Sequence, residues 1–325
     1  MRSAGSRGLV LYEPWSLGDV FIAAAALRQL EKPAALACHS MWHPLVRRAL
    51  AEIPNLDLLA VDLPYTTRQR ANPFDAGVSA GAPKYPDVHE VLSIRGDLRD
   101  FAAARKIFQN ARIRMNGWAR FFGRKSALVN FPYAFGVLPV KNRYRSWSKL
   151  AGVVYEQMEA TYRRRQAQAP TTDRVVIHIG AQWRSKQFPD VAGLRNALRD
   201  QGTEVVILAG PRDLLPRLEE SEVKRVADES LVDELRSAAH VITNDSGPMH
   251  VAAFLGCRTT ALVRTSPIEE WAPPATTIIR SPETPRGYRP SRGYMSDEVL
   301  SGWPSIETVL RAIREAASPS PDEGK

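Results

Sequence analysis

Twice along its 325 residues the chain runs through the same grammar: a short apolar run, a turn of small polar residues, a helix, then another apolar run. In the first half Gly8–Tyr12, Ala34–Cys38, Leu56–Val61 and Val88–Ile94 read as strands, with helices predicted over Val20–Leu30 and His43–Ala51. In the second half Arg174–Ile179, Thr203–Ala209, His240–Ile242 and Arg258–Val263 are the strands, and Asp190–Gln201, Leu231–Ala239 and Val251–Leu255 the helices. Unbroken apolar runs suit strands buried on both faces, and helical crossovers provide that cover only in parallel sheets. The expected fold class is therefore α/β, with two doubly wound units. The polar, proline-containing stretch Gln166–Asp173 is the expected linker. It sets an N-terminal domain at 1–165, a C-terminal domain at 173–317 and a disordered tail at 318–325.

Charge separates the halves. Residues 1–165 hold 25 Lys and Arg against 13 acids, and residues 166–325 hold 19 against 22, within a net charge of +9. The excess concentrates in residues 95–149, with 13 basic side chains and only Asp97 and Asp100 to offset them. There Phe101, Ala104, Phe108, Ala111, Met115, Trp118 and Phe122 recur at helical spacing, predicting an amphipathic helix interrupted at Asn116-Gly117. One reading is a helix packed on its domain with a solvated basic face. The other is a surface for anionic lipid or phosphorylated glycolipid.

A basic nucleic-acid binder is a competing class. The chain has no recognisable helix-turn-helix, zinc-finger, RNA-recognition or KH pattern, so no nucleic-acid partner is expected. Cys38 and Cys257 lie far apart in apolar surroundings, which suits two buried thiols better than a disulfide or a metal site. No apolar run approaches a membrane span, and Glu13 and Asp19 interrupt the N-terminal apolar region, against an export signal. The expected location is cytoplasmic, with peripheral contact at the inner membrane face as an extension. Composition leaves the oligomeric state open.

Thr243-Asn244-Asp245-Ser246-Gly247-Pro248-Met249-His250 sits between a strand and an apolar helix closed by Gly256. Asp245 and Ser246 are good N-cap residues, and Pro248 suits a first helical turn. A helix start at the carboxyl end of a strand offers backbone N–H groups and a positive dipole end to an anion. The plain alternative is a well-capped turn with no ligand.

Three motifs occur in order: Trp15-Ser16-Leu17-Gly18-Asp19-Val20; Ile177-His178-Ile179-Gly180-Ala181 with Ser185-Lys186-Gln187-Phe188-Pro189; and Thr243–His250. Together they resemble glycosyltransferase family nine, the ADP-heptose–lipopolysaccharide heptosyltransferases. The resemblance implies a GT-B fold, two Rossmann-like domains with the active site in the cleft between them. It implies inverting transfer of a heptose from ADP-heptose to a lipopolysaccharide core or related glycan. It also implies no metal and no cofactor beyond the nucleotide-diphosphate sugar as co-substrate. A different nucleotide sugar or acceptor with the same chemistry is the alternative.

On this resemblance Asp19 is the general base, a carboxylate that takes the acceptor hydroxyl's proton; its alternative role is to cap the helix predicted from Val20. Lys186 neutralises the departing diphosphate, with Arg184 as a second candidate; its alternative is an ordinary solvated lysine. Ser246, Gly247, Pro248 and Met249 form the helix start that holds the diphosphate. Asp245 is matched to the transferred sugar, since a carboxylate repels phosphate. His250 adds a hydrogen bond to phosphate or one within the fold. Ser16, Gly18 and Ser185 complete the substrate loops. Asp213 is the candidate for ribose hydroxyls, and Val226–Glu229 would lie along the adenine. His178 either lines the pocket or packs beneath it. Gln182, Trp183 and Arg184 stand where the family often has small hydroxyl residues. The long loop over Pro64–Pro86 and the Arg145-Ser146-Trp147 region are candidates for acceptor recognition.

Overall fold

The computed structural model describes residues 8–54, 56–63, 78, 82–94, 98–115, 142–215, 217–264, 266–281 and 300–317. The chain forms two compact units. One is built from the chain up to Met158 together with Glu269–Trp271; the other begins at Glu159. The units therefore part inside one helix, upstream of the polar stretch expected as a linker.

The N-terminal unit carries a five-stranded parallel sheet in the order β3-β2-β1-β4-β5. Its strands are β1 (Leu9–Tyr12), β2 (Ala35–Cys38), β3 (Asp57–Ala60), β4 (Glu90–Ser93) and β5 (Arg112–Met115). β1 and β2 are buried at every residue, as central parallel strands must be when helices cover both faces. Helix α1 (Leu17–Arg28) buries ten residues, among them four consecutive alanines, so it serves as a core helix. The expected amphipathic helix is cut short. α3 (Leu98–Ile107) stops before a turn, and β5 follows as an edge strand; α2 is His43–Ala49. Ala103, Ala104, Ile107, Phe108 and Ala111 are buried, whereas Phe101 is among the exposed large apolar side chains. Phe108 fixes the turn: Tyr12 meets it edge-on at 5.9 Å, and Tyr85 stacks on it at 5.6 Å. Trp118, Phe122 and nearly all of Pro64–Pro86 before Ala82 lie outside the described residues, as does the expected tail.

Helix α4 (Arg143–Ala151) is capped by Asn142, whose side chain accepts from the Tyr144 N–H, and it packs along α1. Trp147 is fully buried in α4 and serves the core, so it does not present a surface to an acceptor. Arg145 is exposed, its guanidinium 4.0 Å from the ring centre of Tyr155, at the start of α5 (Tyr155–Ala167).

The C-terminal unit holds a six-stranded parallel sheet. Its strands are β6 (Arg174–His178), β7 (Glu204–Ala209), β8 (Lys224–Arg225), β9 (His240–Asn244), β10 (Arg258–Val263) and β11 (Thr277–Arg280). Their order is β11-β10-β9-β6-β7-β8, so the unit's first and fourth strands are parallel neighbours and the order in which strands are laid down reverses there. Helices α6 (Val191–Arg199), α7 (Asp228–Arg236), α8 (Gly247–Leu255) and α9 (Ile306–Ala317) complete the unit. In such sheets ligands bind outside the strand carboxyl ends at the reversal, which here lies between His178 and Thr243. Cys38 and Cys257 are both buried free thiols. Among the described residues, no helix is long and apolar enough to cross a membrane.

Candidate functional site

In the N-terminal unit the chain leaves β1 through buried Glu13, whose N–H donates to Ala37 O at 2.9 Å, and enters α1 at Ser16. The helix begins at Leu17, not at Val20. Asp19 therefore lies inside the first turn, and the cap is Ser16. Ser16 Oγ accepts from the Asp19 N–H at 3.5 Å and donates to Asp19 Oδ2 at 2.8 Å. The position favours a carboxylate, because the first turn's N–H groups form the positive end of the helix. Gly18 is buried against the fold in the same turn. The other oxygen of Asp19, Oδ1, accepts from Nη1 of Arg143, at the start of α4. Both side chains are largely buried, and Arg143 also pairs with Glu270.

In the C-terminal unit three loops meet at the carboxyl ends of β6 and β9. Asn244, the last residue of β9, ties them together. Its amide donates to Ile179 O at 2.8 Å, and its carbonyl accepts from the Phe188 N–H at 3.0 Å. This brace holds a 3-10 turn, Arg184–Lys186, above the next residue of the β9 loop. Lys186 Nζ donates to Asp245 Oδ2 at 2.6 Å, with both side chains mostly buried. Ser185 is fully buried behind the lysine, whereas Arg184 is exposed and turned to solvent. That separates the two cations considered for one role.

Ser246 is the N-cap of α8 by its extended backbone, but its side chain makes no capping hydrogen bond. Its Oγ lies 3.5 Å from Thr243 Oγ1 instead. Gly247 opens the helix, Pro248 sits in its first turn, and Met249 and His250 are buried against the sheet. The Met249 N–H folds back to Ser246 O at 3.2 Å.

Asp213 closes the other flank. Its Oδ2 accepts from the Gly210 N–H at 2.7 Å, and Arg225 Nη1 donates to the carbonyls of Gly210 and Asp213, each at 2.8 Å. The carboxylate presses so closely on Gly180 that a Cβ there would lie 1.8 Å from Asp213 Oδ2 and 2.8 Å from His178 Cε1. The Gly180 N–H donates to His178 Nδ1 at 3.2 Å, which places the neutral ring's proton on Nε2. Burial holds His178 below the usual histidine range, and the nearby Asp213 carboxylate opposes that only in part. Val226 pairs through its N–H with Ala209 O at 2.9 Å, so the Val226–Glu229 segment starts at the same sheet edge.

The candidates thus fall into two groups: Ser16, Gly18 and Asp19 in one unit; Ser185, Lys186, Asp213 and Asp245 to His250 in the other. Four contributors carried no assigned role in the sequence. Asn244 stood inside the motif, where a lone Asn ending a strand was the available signal. Arg225 lacks any local signal. Arg143 and Glu270 lie 124 and 251 positions from Asp19, and no local pattern joins them. Among the described residues, no cluster of three His, Cys, Asp or Glu side chains could hold a metal ion.

Residues 149–292 match the model of glycosyltransferase family 9 (heptosyltransferase). A search of curated protein sequences gave no match. Among solved structures, the fold is similar to a family 9 glycosyltransferase from Veillonella parvula, at TM-score 0.61 and 17% identity, covering 97% of this chain and 98% of that one. It is also similar to E. coli ADP-heptose lps heptosyltransferase II, at TM-score 0.55 and 16% identity, over 95% and 98% of the two chains. E. coli heptosyltransferase WaaC with ADP superposes at TM-score 0.54 and 15% identity, over 95% and 97%.

Proposed function

We propose that this chain, whose residues 149–292 match the model of glycosyltransferase family 9 (heptosyltransferase), transfers a heptose from ADP-heptose to a lipopolysaccharide core or related glycan. The observation that carries this reading is the Lys186–Asp245 pair braced by Asn244 at the strand reversal, all within the matched residues. It puts an ammonium beside the start of α8, so two sources of positive charge converge where a diphosphate would leave.

In this mechanism Asp19 accepts the proton of the acceptor hydroxyl as that oxygen bonds to the anomeric carbon. The bond from that carbon to the diphosphate breaks at the same time, and the sugar inverts. ADP departs with the electron pair, its charge met by Lys186 and by the N–H groups of Ser246 and Gly247, the Met249 N–H being already bonded to Ser246 O. Pro248 has no N–H to give. Asp245 orients the ammonium and faces the sugar. Asp213 and the Val226–Glu229 backbone take the ribose and base. We assign no metal to the reaction, since lysine and amides supply the charge. The excess of basic residues in the N-terminal half favours a phosphorylated acceptor and contact with an anionic membrane face.

The test joins binding to turnover. ADP is expected to bind more tightly than UDP in calorimetric titration, with single-stranded DNA binding neither tightly nor competitively. Asp19→Asn is expected to abolish transfer to heptose-deficient, de-acylated lipopolysaccharide while leaving ADP affinity within about twofold. Normal turnover by that variant removes Asp19 from the base role. Salt-sensitive DNA binding without ADP or UDP binding overturns the transferase reading.

A further inference from the structure

A carboxylate acting as base must offer one lone pair in one direction, and Asp19 is held for that from two sides. Ser16 Oγ donates to Oδ2 at 2.8 Å, and Arg143 Nη1 donates to Oδ1. Arg143 is itself fixed. Its Nε and Nη2 both donate to Glu270 Oε1, at 3.0 and 2.9 Å, and its guanidinium carbon lies 5.3 Å from the ring centre of Trp271. The neighbouring cap residue repeats the attachment: Asn142 Nδ2 donates to Glu269 O at 3.2 Å. Glu269–Trp271 belong to the N-terminal unit although the chain on either side of them belongs to the other.

We propose that Arg143 is the positioning residue for Asp19, and that Glu269–Trp271 are recruited to the N-terminal unit to hold it. This rests on the reading of Asp19 as base. The chemistry selects an arginine. A guanidinium presents separate donor edges in one plane, so it grips Glu270 through Nε and Nη2 while aiming Nη1 at Asp19; a lysine ammonium has no such plane. Glu270 also has an electrostatic role. A cation paired with the base alone would hold the carboxylate as a spectator ion. Shared between two carboxylates in a group of net charge −1, it orients Asp19 while its field is divided. The Trp271 face adds a contact to the guanidinium without drawing on its N–H donors.

The experiment measures kcat and donor KM with ADP-heptose and the de-acylated core acceptor. Arg143→Ala is expected to lower kcat about 100-fold, the scale of misplacing a reacting group by an ångström. Donor KM and ADP affinity are expected to stay within about twofold. Millimolar guanidinium is expected to restore a large part of the lost kcat, where sodium or ammonium at equal ionic strength restores none. Arg143→Lys is expected to fall below wild type because it keeps the charge without the fork. Wild-type kcat in Arg143→Ala, with Asp19→Asn inactive, overturns this proposal and leaves the base assignment standing. Full activity of Asp19→Asn overturns the base assignment first. If Arg143→Ala fails to fold, Arg143→Lys and Glu270→Gln decide: a lowered kcat at unchanged ADP affinity supports the proposal, and wild-type kcat in both overturns it.

Discussion

At the scale of single residues, the strongest constraint in the C-terminal unit is the contact between Gly180 and Asp213. A side chain at 180 would need the space the carboxylate fills, with Oδ2 only 1.8 Å from the added Cβ. The carboxylate has little room to yield, since Gly210 N–H holds it at 2.7 Å and Arg225 anchors the same loop. Gly180→Ala is therefore expected to cost about 1–3 kcal/mol of stability, the range for forcing extra volume into a packed site. It is also expected to weaken ADP binding more than it slows transfer at saturating donor. Thermal melts and ADP titration check both, and unchanged ADP affinity would detach Asp213 from the nucleotide. The sequence suggested Asp213 for ribose, but the reason for the glycine at 180 could not be read there. The two positions are separated by a helix and a strand, and only their packing makes them neighbours.

At the scale of elements, short apolar runs revealed eight of the eleven described strands, because burial on both faces demands such runs, while β5, β8 and β11, none of them central in its sheet, were missed. Boundaries were harder. α1 starts three residues before Val20 because Ser16, not Asp19, takes the cap. Either residue type can cap, so local chemistry did not choose between them. The stretch from Phe101 failed for a related reason. Apolar residues at spacings of three and four also satisfy a helix, a turn and a strand in succession when Phe108 and Ala111 are buried in the turn. Helix α8 shows the opposite case, where one residue settles the end. Gly256 has φ of +88°, and a Cβ there would meet Arg165 Cβ at 2.7 Å and its backbone at 3.1 Å. Gly256→Ala pays for left-handed backbone as well as the clash, so a loss of about 2 kcal/mol or more is expected. Urea denaturation checks it, and a neutral outcome would mean that the α5–α8 packing relaxes.

At the scale of the whole molecule, buried titratable groups set the pH range of the fold. Burial, reinforced by nearby Arg258, pushes His240 from 6.5 down to about 4 while it hydrogen-bonds Thr260. Its folded pKa lies below its unfolded one, so its contribution is complete above about 6.5 and is lost as pH falls toward about 4. The difference corresponds to about 3 kcal/mol. His178 acts in the same direction. Burial pushes Cys38 and Cys257 from 9.0 up to about 12, so the thiols' contribution is complete below about 9 and is lost as pH rises toward 12. Stability is expected to be greatest between about pH 6.5 and 9, measured by denaturant melts across pH. His240→Gln is expected to flatten the acid limb, and an unchanged slope would assign that limb elsewhere. By itself the sequence determined the α/β class, two parallel-sheet units and the three loops proposed to carry the chemistry. Those features come from local burial patterns and from the backbone demands of turns and helix starts. Only the tertiary structure decided that Lys186 meets Asp245, that Asn244 braces their loops, and that Arg143 bridges Asp19 and Glu270. Such pairs depend on which distant segments the packed sheets bring within hydrogen-bond range, and that distance is not written along the chain.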